Sequence, residues 1–404
     1  MKMNLLENEK KALSNAQISD TEAFNSMWEN STSATIASTA SNYIMRLDKP
    51  FTSTYRTYVK PREYGNFKWS FWHCNAVDST WDDGSNSAAN DIGGNWVIEA
   101  ASIADGGREL DGSIEPGTSV QITFNGSSSK EVRPGEKFWS DSVLLNIPEE
   151  HYIAFTWTIS TTSTGKMLPY NTETLLMSSY IASGNCSEEE QNTNFKLSES
   201  CTVLPDLIAY ERSVLKKLCF IGDSITQGVR TEMDKYEYWV SKIADGLGSQ
   251  IGVWNIGSGW ARAYDAASDG GWLFKAKQSE EVIICLGVND IGTTNRSYEE
   301  LLTDLTTIVK KLKENNPSCK IIMFTVPTFD FIGEQEKVWR TINNTIKKNP
   351  PKGVDRVFDI ADVLSLPAPN DNMIRPEFKS GVDDPHPNGL AGTAVAEAFL
   401  KWYL

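Results

Sequence analysis

Apolar and polar positions follow two different periods along this chain, and the change between them divides it. Between about Tyr43 and Thr158, short segments rich in β-branched and aromatic residues recur. They are Thr54–Val59, Phe67–Trp72, Asn95–Glu99, Ser119–Phe124 and Tyr152–Thr158, several of them alternating apolar with polar. Asp82-Asp83-Gly84 and Glu115-Pro116-Gly117 are typical of the breaks between them. Short alternating runs bounded by turn residues predict an antiparallel β-sandwich. No fixed-period repeat runs through this half.

After a polar stretch at Glu188–Asn194, read as a loop or interdomain crossing, the period changes. Strand candidates follow at Lys217–Ile221, Gly252–Ile256, Val282–Leu286, Lys320–Val326 and Arg356–Ile360, largely apolar as in strands buried on both faces. Helix-period segments lie between them. Tyr236, Trp239, Val240, Ile243, Ala244 and Leu247 fall at i, i+3, i+4, i+7, i+8 and i+11, one face of a helix. Tyr298–Leu312, Glu334–Ile346 and Gly389–Leu404 are patterned alike. Five strands alternating with helices predict a doubly wound α/β sheet. The expected division is therefore a β-sandwich over 1–200, with a short helical lead-in over residues 4 to 28, and an α/β domain over 201–404.

Length agrees, since 404 residues exceed what one core commonly holds. The formal charge of −15 argues against nucleic acid or an anionic membrane as partner. No apolar run reaches the roughly 18–20 residues that span a bilayer. The first residues lack the apolar core of a secretory signal, so the expected location is the cytoplasm. Of six cysteines, Cys219 and Cys285 lie in apolar runs and read as packing residues, while Cys186 and Cys201 flank a polar loop and are a possible oxidised pair. No cysteine or histidine spacing suggests a metal.

The candidate chemistry lies just beyond the predicted strands of the second half. The first strand ends in Gly222-Asp223-Ser224, the second in Asn255-Ile256-Gly257-Ser258-Gly259-Trp260, the third in Gly287-Val288-Asn289-Asp290. In a parallel sheet these carboxyl ends share one edge, where ligands bind. A serine nucleophile needs a base, an orienter for the base, and donors for the oxyanion. The chain holds three histidines. His73 lies inside an aromatic strand and reads as a packed residue; His151 follows Glu149-Glu150 and reads as a solvated turn. His386 sits in a Pro/Asp loop, Asp383-Asp384-Pro385-His386, outside any apolar pattern. Asp383, three residues before it, is the expected partner for Nδ1, leaving Nε2 for the Ser224 proton; Asp384 is the competitor. The Ser224 and Gly257 N–H groups and the Asn289 amide are the expected oxyanion donors. Trp260 is the expected lining of the acyl or sugar pocket.

These four blocks resemble the SGNH (GDSL) hydrolase family: Ser224, Gly257, Asn289 and His386 stand in order over roughly 215–404. The resemblance implies a flavodoxin-like three-layer fold, no cofactor, ester or thioester hydrolysis through an acyl-enzyme, and Asp223 as a residue that positions the serine loop. A β-sandwich ahead of such a domain is similar to two-domain carbohydrate acetylesterases, which implies acetylated oligosaccharide as the substrate. Two other readings stay open: a lipid esterase, lysophospholipase or acyl-thioesterase of the same family, and a non-catalytic carbohydrate-binding protein.

Overall fold

In the computed structural model, which describes residues 22–172 and 176–404, the first half of the chain pairs antiparallel into two larger sheets and a two-stranded one of Tyr43–Leu47 and Gly165–Tyr170. The larger is centred on Phe51–Val59, Ile153–Thr161 and Trp96–Asp105, with Ile153 opposite both Val59 and Asp105. The smaller sets Leu207–Glu211 against Gly65–Cys74 and is edged by Ser31–Ser33. Phe71, Trp96, Phe155 and Trp157 fill the space between. Alternation drives this layer, because every second side chain of a strand faces the same way.

Leu207–Glu211 corrects the expected boundary. A division at residue 200 assigns this strand to the second domain, yet it pairs with Gly65–Cys74 inside the antiparallel sheet. The polar stretch at Glu188–Asn194 is therefore not the crossing; Glu190 still bonds Ile114 and Gly117. The chain leaves the antiparallel sheet only after Glu211. Cys186 and Cys201 are both free thiols. Residues 22–28 are helical, and the rest of the expected lead-in lies outside the described residues.

The second half forms a parallel sheet of β1 (Lys216–Gly222), β2 (Ile251–Asn255), β3 (Glu281–Cys285), β4 (Lys320–Phe324) and β5 (Arg356–Phe358). Their order is β2-β1-β3-β4-β5, the flavodoxin-like arrangement, with its switch point at the carboxyl ends of β1 and β3. Helices cover both faces. They include the one-turn α1 (Ser224–Gln227), α2 (Trp239–Leu247), α3 (Ala263–Ala267), α4 (Gly271–Ala276), the short α5 (Val288–Gly292) and the long α6 (Tyr298–Asn315). After them come α7 (Gly333–Lys348), α8 (Ile360–Leu364) and α9 (Gly389–Tyr403). A hairpin of β6 (Lys379–Gly381) and β7 (Asp384–Pro387) precedes α9. Among the described residues no helix is long and apolar enough to cross a membrane.

The apolar cores run on from one half into the other. Phe24 and Trp28 of the leading helix pack on Trp254 of β2, and Trp72 of the smaller antiparallel sheet packs on Phe274 of α4. The sandwich thus lies against the α/β layer on the side where β2 ends.

Candidate functional site

Strand β1 is buried along Leu218–Ile221 and stops at Gly222, where a Cβ would sit 1.9 Å from Thr226 Oγ1 and 2.6 Å from the Cys285 carbonyl oxygen. Only glycine lets β1 pass so close to β3 and then turn. Asp223 caps the turn, its Oδ1 accepting the Ile225 N–H at 3.0 Å. Ser224 is the first residue of α1 and is 8% exposed, its Oγ 3.0 Å from His386 Nε2. Being first in its helix, Ser224 has a backbone N–H with no acceptor inside that helix.

His386 is held from three sides. Its Nδ1 lies 2.6 Å from Asp384 Oδ1, and its backbone N–H donates to the same oxygen at 3.1 Å. Phe329 stands edge-on to the imidazole at 5.0 Å. Two residues on, Asn388 accepts the Leu390 and Ala391 N–H groups and so caps α9. The other Asp384 oxygen takes the Arg230 Nε–H at 3.0 Å. Burial raises the Asp384 carboxyl, but the bonds from His386 and Arg230 outweigh it and hold the group below the ordinary aspartate range.

This replaces the expected orienter. Asp383 is exposed, in the two-residue turn between β6 and β7. Residues 384 and 386 belong to one strand, and the two-residue period of a strand puts them on one face. The three-residue spacing to Asp383 would suit a loop or helix, and the local structure is neither.

The glycine turn after β2 also departs from expectation. The Gly257 N–H already donates to Asn255 Oδ1 at 2.9 Å, and a Cβ there would meet the Gln227 backbone N at 2.3 Å. Gly257 therefore lets the turn pack on the back of α1 and is not a free donor. The turn is fixed further by Ser258 N–H to the Gly222 carbonyl and by Gly259 N–H to Gln227 Oε1. Asn289, in α5, gives one amide N–H to the Ala261 carbonyl at 3.1 Å. That bond aims the amide, whose second N–H belongs to a side chain lining the cleft beside Ser224.

Ser224, His386 and Asn289 open onto a cleft of about 250 Å³, walled by Val229, Val288, Phe329, Trp260 and Arg230. Trp260 reaches this wall at φ 66, a left-handed conformation that a bulky residue adopts only under constraint. Asp223 lies behind the cleft; burial pushes its carboxyl up to about 7, with neighbouring Asp290 adding to the rise. Its Oδ2 is buried without a partner.

The two other histidines lie elsewhere. His73 is buried among Trp96, Phe138 and Trp157, with Nδ1 2.7 Å from Asp206, as its packed position predicts. His151 is only partly solvated and pairs with Asp105 at 2.9 Å. Sequence reasoning passed over Arg230, Phe329 and Val229, which carry no motif. Asp384 entered the sequence reading only as the competitor to Asp383, the choice turning on whether the backbone there is strand or loop.

Residues 220–390 match the family model described as the GDSL-like Lipase/Acylhydrolase family. No curated protein matches the chain. Among solved structures, a family two carbohydrate esterase from Clostridium thermocellum in complex with cellohexaose aligns at 12% identity. It covers 90% of this chain and 97% of that one, with a TM-score of 0.38. An alpha/beta hydrolase enzyme from the metagenome of Lake Arreo, Spain, aligns at 20% identity over 47% of this chain and 95% of its own, TM-score 0.36. A GDSL-like lipase from Bacteroides thetaiotaomicron aligns at 17% over 46% and 86%, TM-score 0.34.

Proposed function

We propose that this chain, whose residues 220–390 match the GDSL-like lipase/acylhydrolase family model, is a carboxylic ester hydrolase that removes small acyl groups, acetyl above all, from carbohydrate esters. The observation that carries the reading is the 3.0 Å contact of Ser224 Oγ with His386 Nε2, in line with the 2.6 Å contact of His386 Nδ1 with Asp384.

In this reading His386 takes the hydroxyl proton as Ser224 Oγ bonds to the ester carbonyl carbon. Asp384 holds the imidazole in the tautomer that leaves Nε2 free, and stabilises the imidazolium that forms. The Ser224 N–H and the Asn289 amide donate to the oxygen that becomes negative. The C–O bond to the sugar then breaks, the departing oxygen receives the proton from His386, and the acyl group stays on Ser224. Water, deprotonated by the same imidazole, releases it as the carboxylic acid. The partly exposed indole of Trp260 beside the nucleophile supports a short acyl group and a sugar alcohol.

The apolar wall of Val229, Val288 and Phe329 favours a second reading, a longer-chain ester or thioester substrate. One experiment separates the two. A fluorophosphonate is expected to label Ser224, and hydrolysis of p-nitrophenyl esters is expected to fall steeply from acetyl to octanoyl. Rising activity along the series would establish the second reading, and an unreactive Ser224 would end both.

A further inference from the structure

Resting on the esterase reading, we infer that Trp81, a residue of the antiparallel domain, and Trp260 together form a subsite for the sugar ring that carries the ester. The two indoles lie 6.4 Å apart at 67°, a corner rather than a slot, and both are partly exposed. Tyr43 extends the same surface, edge-on to Trp81 at 5.2 Å.

The corner is built by a clamp between the two halves of the chain. Residues on either side of Trp81 are tied to residues on either side of Trp260. Ser79 Oγ donates to Ser258 Oγ at 2.7 Å, and Thr80 Oγ1 donates to Asp265 Oδ1 at 2.6 Å. The Arg262 guanidinium donates to the Asp82 carbonyl. Asp265 in turn accepts the Arg262 N–H. Trp260 sits in the left-handed region between these anchors.

Four of the buried tryptophans are used differently. Trp69, Trp157, Trp239 and Trp272 are buried and spend their indole N–H on backbone carbonyls. Trp81 and Trp260 are partly exposed, and among the described residues neither N–H has a protein acceptor. A pyranose offers what this leaves over, an apolar face for stacking and hydroxyls for an indole donor. An alkyl chain would gain more from the enclosed wall of Val229, Val288 and Phe329. Trp260 lines the cleft, and the aromatic surface runs on from it through Trp81 to Tyr43.

The test compares Trp81→Ala and Trp81→Phe with the parent protein, on acetylated xylo-oligosaccharides and on p-nitrophenyl acetate. The expected result for Trp81→Ala is a KM for the oligosaccharide raised about ten-fold at similar kcat, with p-nitrophenyl acetate turnover within about two-fold of the parent. Trp81→Phe should fall between. Equal loss on both substrates, or no change on the oligosaccharide, would overturn the subsite. Binding keeps the two readings apart. Indole fluorescence of the Ser224→Ala protein should respond to the same oligosaccharide, and adding Trp81→Ala should abolish the response. If the parent hydrolyses no ester, the esterase reading fails and this titration alone decides the subsite; no response would then reject it too.

Discussion

A base and its orienter two residues apart are an unusual economy at the scale of single residues, and they make the roles easy to separate. Asp384 touches both the His386 imidazole and the His386 backbone N–H, whereas Asp383 stands in the turn, exposed. Asp384→Asn should therefore lower kcat/KM by up to about 10⁴-fold, since the wrong tautomer is favoured, while Asp383→Asn should leave it nearly unchanged. The reverse order, measured on p-nitrophenyl acetate, would restore Asp383. Asn289→Ala should lower kcat by about 10²–10³-fold with little change in KM, as expected for a donor that acts on the developing oxyanion. Unchanged kcat would remove Asn289 from that role. Ser224 and Asn289 could be picked out from the chain alone because each follows an apolar run, and His386 because it lies in a Pro/Asp loop outside any apolar pattern. The choice between two adjacent aspartates was not, for it depends on whether the backbone there is strand or loop.

At the scale of elements, all five parallel strands were evident, the first four as largely apolar runs, and so were their long helices, because burial on both faces or one stripe leaves a strong pattern. Strands at 165–170 and 207–211 were not. Pro169 breaks the first pattern, and the second is a short run, apolar over Leu207–Tyr210, whose partner Gly65–Cys74 lies more than a hundred residues away in the chain. The β1–α1 corner has a consequence for stability. The Asp223 carboxyl is pushed up to about 7 by burial, against an unfolded value near 4. The folded chain then holds a proton that the unfolded chain has lost, so this group withdraws stability as pH rises from about 4 to about 7 and no further above. Asparagine at 223 keeps the cap and removes the proton. Urea unfolding between pH 4.5 and 7.5 should show Asp223→Asn gaining on the parent by up to about 1.4 kcal/mol per pH unit. Parallel profiles would mean that the carboxyl is ordinary.

Across the whole molecule, the two halves share buried charge as well as apolar core. Lys275 of α4, fully buried, donates to Asp78 at 2.6 Å and also to Asp206, both carried by the antiparallel half. Asp206 is desolvated, yet Lys275 and His73 together hold it down at about 2. Asp78 moves the other way: burial raises it, and its second oxygen finds no partner. This cluster lies beside the segment that carries Ser79, Thr80 and Trp81, so it fixes the same contact that the aromatic corner depends on. Taking two carboxylates out of water costs more than an exposed pair returns, and the arrangement holds only while all its members are present. Lys275→Met keeps most of the side-chain volume but leaves Asp78 without its cation and Asp206 with His73 alone, which should cost about 3–5 kcal/mol. Because the apolar cores are continuous, the loss should appear as one calorimetric transition moved to lower temperature in full, with esterase activity below that transition still present. Two separate transitions, with only the antiparallel half shifted, would show that the halves fold independently and that the Trp81 corner is set by local contacts alone.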